Sequence, residues 1–129
     1  MPAVTPDLAA RHAPLAALDS RHVEIEAMPW RETRWPKIKV KVLMEDKERG
    51  LATMLMRWEP GAVLPYHEHV ELEQTYVLEG SFEDDTGACK AGEFIYRPAG
   101  SKHDARSPGG ALMLAIFLKP NKFFDQATH

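Results

Sequence analysis

From residue 59 onward the chain returns to turn residues at short intervals: Glu59-Pro60-Gly61, Glu79-Gly80, Asp84 to Gly87, Ala91-Gly92, Pro98-Ala99-Gly100 and Pro108-Gly109-Gly110. Nothing between these points carries a helical stripe. The intervening stretches 74–78, 81–83, 94–97, 103–106 and 111–118 are short, and several are rich in β-branched or aromatic residues. Many short strands separated by Gly- and Pro-containing turns predict an all-β antiparallel sandwich or barrel. The strand pattern begins earlier. Residues 22–28 alternate apolar and polar, 37–42 alternate more strictly with lysines on a solvated face, and 51–58 are apolar nearly throughout.

A chain of 129 residues fits one domain and buries roughly 65–70% of its unfolded surface. The proline- and alanine-rich residues 1–20 are expected to form a short irregular or helical arm, 21–120 the domain, and 121–129 a tail. Net charge is -3 and no basic cluster exceeds Lys37, Lys39 and Lys41, which argues against nucleic acid or an anionic membrane as partner. Cys89 is the single cysteine, so an internal disulfide is excluded. The first residues are broken by Pro2, Pro6 and Pro14, unlike a secretory signal, and no run is long enough to span a bilayer. The expected location is the cytoplasm.

Two of the six histidines fall within "PYHEHVELEQ". On a strand His67 and His69 point to one face, and Glu73 keeps the same parity unless residues 70–72 bend the chain. Two imidazoles and a carboxylate are the elements of a metal site. An exposed polar edge with accidental spacing is the alternative, and for an isolated pair of histidines it is the commoner one. The flanks extend the pattern to Gly61-x5-His67-x-His69-x3-Glu73-x6-Gly80, followed by Gly92-x5-Pro98-x-Gly100-x2-His103.

These two stretches resemble the signature motifs of the cupin superfamily, and the resemblance covers about residues 50 to 118. It implies a jelly-roll β-barrel holding one metal through His67, His69, Glu73 and His103. Ser107 stands where the second motif has asparagine, a position that is not a ligand in cupins. Phrases such as Trp58-Glu-Pro-Gly61 and Leu78-Glu-Gly-Ser-Phe82 are similar to the ChrR-like branch. That branch includes zinc-bound anti-sigma domains and small dioxygenases acting on acetylacetone or dihydroxyacetophenone.

The resemblance therefore implies one of two functions. One is a dioxygenase cleaving a carbon–carbon bond in a small chelating diketone or hydroxyketone, with Fe(II) favoured over Zn, Ni or Mn and Glu73 as a base that leaves the metal. The other is a zinc-bound sensory or ligand-binding module without catalysis. A first segment of about 20 residues is short for a sigma-binding domain, which favours the enzyme. Arg57 and Arg97 are candidates for holding an anionic substrate, or are solvated strand ends. Tyr76 and Tyr96 are candidate donors to a bound oxyanion, or packing residues. Met54, Met56 and Met113 read as core filler. Cys89 reads as inert, and His12, His22 and His129 have no assigned role. Apolar residues on both faces of 51–58 and 111–118 suggest a two-fold homodimer.

Overall fold

The structure is a computed structural model, and it describes residues 3–124. A 3-10 turn at Pro6–Leu8 leads into the short helix α1 (Ala9–His12), and a second 3-10 turn lies at Ile25–Ala27. Ten strands follow: β1 (Arg31–Glu32), β2 (Ile38–Asp46), β3 (Leu51–Trp58), β4 (Ala62–Glu68), β5 (Glu73–Asp84), β6 (Gly87–Lys90), β7 (Phe94–Arg97), β8 (Lys102–Ser107), β9 (Ala111–Phe117) and β10 (Lys122–Phe123). All pairings are antiparallel, in the order β1-β2-β3-β9-β5-β8-β4-β10, with β6 and β7 also joined to β5. The all-β, curled antiparallel architecture is the one the turn spacing predicts.

Register explains the core. Met56 pairs with Met113 and Met113 with Val77, which lines an inner row of apolar side chains across β3, β9 and β5. Trp58, Ala62, Phe82, Ala105 and Phe123 join the same buried cluster. The outer row runs through Lys41, Leu55, Leu114, Tyr76 and Phe94, each paired with the next. Here one expectation is corrected. Lys41 is buried, because the chain before β1 crosses this face: its Nζ donates to the Ile25 carbonyl at 2.9 Å and lies 4.8 Å from the Trp30 ring. At the other end of the same face Tyr76, Leu78, Phe94 and Tyr96 remain exposed.

Residues 22–28 are also not the strand their alternation suggested. They carry the 3-10 turn and lie over the outer face of β2, where Lys41 Nζ donates to the Ile25 carbonyl. The first residues are more firmly attached than their composition suggested. Val4 bridges to Glu45, Thr5 Oγ1 donates to the Leu43 carbonyl at 2.7 Å, and Leu8 is buried.

A further correction concerns Glu79-Gly80, read as a turn between two strands. β5 runs straight through it, pairing with β9 and β7 in its first half and with β6 and β8 in its second. The register slips between Val77 and Glu79, and Gly80 adopts φ +70. A glycine signals positive φ, and here a bulge that carries the strand from one half of the barrel to the other uses it. A Cβ at this position would lie 2.1 Å from the Gly110 carbonyl oxygen. Gly80→Ala is therefore expected to destabilise the fold by about 3 kcal/mol or more, through backbone strain and a backbone clash. Denaturant unfolding measures this, and a loss below ~1 kcal/mol would contradict it.

Candidate metal centre

The first histidine is placed by an irregularity. β4 and β8 lose step between Leu64 and His67, so that Leu64 opposes Ala105 and His67 opposes His103. The extra residue allows Leu64 and His67 both to face inward, although strict alternation would separate them. His69 lies just past the end of β4. Its backbone N–H donates to the Ser101 carbonyl at 2.8 Å, and its carbonyl accepts from Gly100 N–H at 2.6 Å. The turn formed by Pro98, Gly100 and Ser101 thus fixes His69 and delivers His103 at the start of β8. Glu73 opens β5 after a bend at residues 70–71, so it reaches the site from a different strand from His67.

The three imidazoles converge. Their ring centroids are 4.6 to 4.8 Å apart, and one nitrogen from each lies within 4.8 Å of the others. His67 and His69 are each 1% exposed. His67 Nδ1 lies 2.7 Å from the Pro65 carbonyl and His103 Nδ1 lies 2.6 Å from the Asp104 carbonyl. A carbonyl only accepts, so both Nδ1 atoms carry the proton and both Nε2 atoms present a bare lone pair. Glu73 Oε1 lies 2.7 Å from His69 Nδ1 but off the direction of its N–H, so it serves as a charge partner without hydrogen-bond geometry.

His69 Nε2 is 2.6 Å from His103 Nε2. His69 Nδ1 has no hydrogen-bond partner, so at this contact one Nε2 donates to the other when it carries the proton, and a cation can take that proton's place. Anchored Nδ1–H groups with Nε2 atoms directed inward are the usual setting of metal-binding histidines. The donor set fits a divalent ion. Burial, the largest influence, brings the His67 imidazole down to about 4, and burial with the Arg97 charge lowers His103 too, so both stay neutral near pH 7.

Glu73 is the carboxylate of the site. Burial alone would raise its pKa, but His69, the Thr75 hydroxyl at 3.0 Å from Oε2 and the Arg97 charge outweigh burial and hold it below the ordinary value. Arg97 lines the same cavity, where Nη1 donates to Asp84 Oδ2 at 2.7 Å and the guanidinium lies 5.6 Å from the Phe82 ring. Asp84 Oδ2 is 3.7 Å from His103 Nδ1. Burial opposes ionisation of Asp84, yet the Thr86 hydroxyl and Arg97 override it and hold its carboxyl well below the usual range. The cavity, walled by Met56, Leu64, Phe82, Met113 and Phe117 beside the polar groups, encloses about 30 Å³, enough for one water or ion.

Other candidates lie elsewhere. Arg57, Tyr76 and Tyr96 have the outward parity: Arg57 pairs with Glu79 at 3.3 Å on the surface, and the two tyrosines are 42% and 63% exposed. The structure does not bring these three to the cavity. His12 is half-buried and His22 exposed, Cys89 is buried, and His129 lies outside the described residues. Asp84, Thr75, Trp58 and Asn121 are site residues that sequence reasoning passed over. Asp84 was read only as part of a turn, and its Oδ1 does accept from Thr86 N–H at 2.8 Å, but its other oxygen holds Arg97. Ser107, in the asparagine position of the motif, is fully buried and its hydroxyl donates to the Ser81 carbonyl at 2.6 Å, tying β8 to β5.

An antiparallel half-barrel with a three-histidine cluster inside, each ligand delivered by its own turn or strand, defines a cupin. Within cupins the chain belongs to the ChrR cupin-like domain family, whose sequence profile matches residues 19–122. No curated protein matches it in sequence. Among solved structures, an RmlC-like cupin from Ralstonia eutropha superposes with TM-score 0.80 at 19% identity, over 88% of this chain and 80% of the other. An acetylacetone dioxygenase from Acinetobacter johnsonii gives TM-score 0.74 at 16% identity, over 89% and 87%. The Rhodobacter sphaeroides complex of SigE with the anti-sigma factor ChrR gives TM-score 0.62 at 26% identity, over 73% of this chain and half of the matched one.

Proposed function

We propose that the protein is a metal-dependent dioxygenase acting on a small chelating diketone or hydroxyketone. The observation that carries this reading is the convergence of three buried or half-buried imidazoles, two of them with Nδ1 tied to a backbone carbonyl, beside a largely apolar cavity. His67, His69, His103 and Glu73 would hold one divalent ion, Fe(II) favoured over Zn, Ni or Mn. When bound, Fe(II) supplies Lewis acidity and a path for electrons between dioxygen and an enolised substrate.

The chain's own residues do the rest. Met56, Leu64, Phe82, Met113 and Phe117 keep water from the cavity. Glu73, held by Thr75 Oγ1 at Oε2, has Oε1 to accept the proton that an enolisable substrate gives up. The similarity to an acetylacetone dioxygenase along most of both chains supports the reading.

A second reading is a zinc-bound sensory barrel. The likeness to the SigE–ChrR complex favours it, as does a cavity with space for little more than an ion. The two separate by experiment. Protein purified without added metal is expected to contain iron, and the Fe(II) form to consume oxygen with a panel of β-diketones and hydroxyketones. Stoichiometric zinc, with no oxygen uptake by the iron-reconstituted form on any of them, would leave the sensor as the better account.

A further inference from the structure

Away from the metal centre, the outer face of the sheet around β5 and β7 is apolar and uncovered. Tyr76 pairs with Phe94 and Gln74 with Tyr96, and across the other side of β5 these two rows continue into Leu114 and Ile116. Leu78 and Leu112 extend the patch by a further row, which Arg57 and Glu79 close with an ion pair at 3.3 Å. Tyr76, Leu78, Phe94 and Tyr96 are between 42% and 63% exposed, and Leu112, Leu114 and Ile116 are half-buried. At the far end of the same face the chain covers itself: Lys41 and Leu55 are buried, and the Trp30 ring stands over Lys41. β7 is moreover an edge strand, since among the described residues it pairs only with β5. A bare apolar edge is a feature that natural proteins cover.

We propose that this face is the surface through which two copies of the chain associate about a two-fold axis. Its make-up is that of an interface: tyrosine, phenylalanine and leucine at the centre, charge only at the border. Its size is sufficient. Large side chains present ~150–250 Å² each, so four that are about half exposed offer roughly 400 Å², and their half-buried neighbours bring the patch to about 600 Å². A stable interface takes ~600–1,000 Å² from each partner, which a matching copy of the same face supplies. The border ion pair answers its own charges, so the patch calls for no partner of opposite sign. A two-fold sets apolar rows against apolar rows and closes, leaving none of this face to recruit further copies. β3, one of the segments from which a dimer was expected, adds little, because Leu55 is already buried within the chain. The proposal is independent of the reaction proposed above but touches the site. Gln74 and Tyr76 alternate along β5 with Glu73 and Thr75, and Tyr96 precedes Arg97. Association therefore braces, from outside, the two strands that carry Glu73 and Arg97 into the cavity.

Sedimentation equilibrium tests this without reference to metal or turnover. Wild type at tens of micromolar is expected to have the mass of two chains. Phe94→Glu combined with Tyr96→Glu sets two carboxylates at the centre of the patch and should weaken self-association by more than ~30-fold, giving the mass of one chain. Its circular dichroism should match wild type, because both side chains are on the surface. Tyr66→Glu alters a comparably exposed aromatic residue on β4, at 53%, and should leave the dimer intact. A wild type with the mass of one chain overturns the proposal and leaves the face to a different protein. A dimer that survives in the double variant, or that Tyr66→Glu disrupts instead, overturns it too, since the copies then meet elsewhere. If the double variant does not fold, amide hydrogen exchange of wild type decides. Residues 74–78 and 94–97 should exchange more slowly in concentrated than in dilute protein, and exchange there that ignores concentration overturns the proposal.

Discussion

The His103→Ala variant is expected to lose metal affinity by more than ~100-fold while remaining folded. Removing a residue that merely orients a metal-binding histidine already costs ~10–100-fold, and His103 offers the Nε2 itself, 2.6 Å from that of His69. His67→Ala and His69→Ala should behave alike. His12→Ala and His22→Ala should not, because neither residue lines the cavity. Elemental analysis after equilibrium dialysis against a graded chelator reads the affinity, and circular dichroism reads the fold. Equal metal content in His103→Ala and wild type would remove the second motif from the site.

Glu73→Gln should separate affinity from chemistry. Glutamine keeps the shape and one coordinating oxygen but cannot take up a proton at neutral pH. If Glu73 ligates the resting metal and leaves it to accept the proton of an enolisable ligand, the variant should hold most of its metal and lose oxygen consumption by ~10²–10⁴-fold, the usual contribution of a positioned base. A variant that lost metal in parallel with activity would make Glu73 a ligand and nothing more. Thr75 is a useful control, since its hydroxyl touches Glu73 Oε2 at 3.0 Å: Thr75→Val should shift activity by much less.

What could be read in the sequence, and what could not, follows from how local each feature is. The histidines and Glu73 stood out because turns at fixed spacing deliver them, and Gly61, Pro98 and Gly100 announce those turns by residue type. Gly80 was misread because glycine reports a positive φ but not whether the chain reverses there; the Gly110 carbonyl that approaches it lies on a distant segment. Lys41 was placed in solvent by strict alternation, which knows nothing of the Trp30 segment laid across it. Asp84 has two oxygens, and only the one used in its own turn leaves a trace in the local sequence. Asn121 carries no local signal at all, since its burial depends on a two-residue strand docking beside His67.

The direct register of His67 with His103 across β4 and β8 bears on chain entropy. A link between distant residues stabilises a protein mainly by closing a loop that the unfolded chain would leave open. Here the backbone ladder has already brought positions 67 and 103 face to face, and His69 and Glu73 are near neighbours along the chain. An ion bound among them would join groups that the backbone ladder itself holds face to face. That distinguishes this barrel from small metal-folded domains, in which the unfolded chain becomes ordered only when the metal arrives. A bound ion is accordingly expected to exchange for another on one scaffold, which would allow iron, zinc and nickel forms to be compared directly.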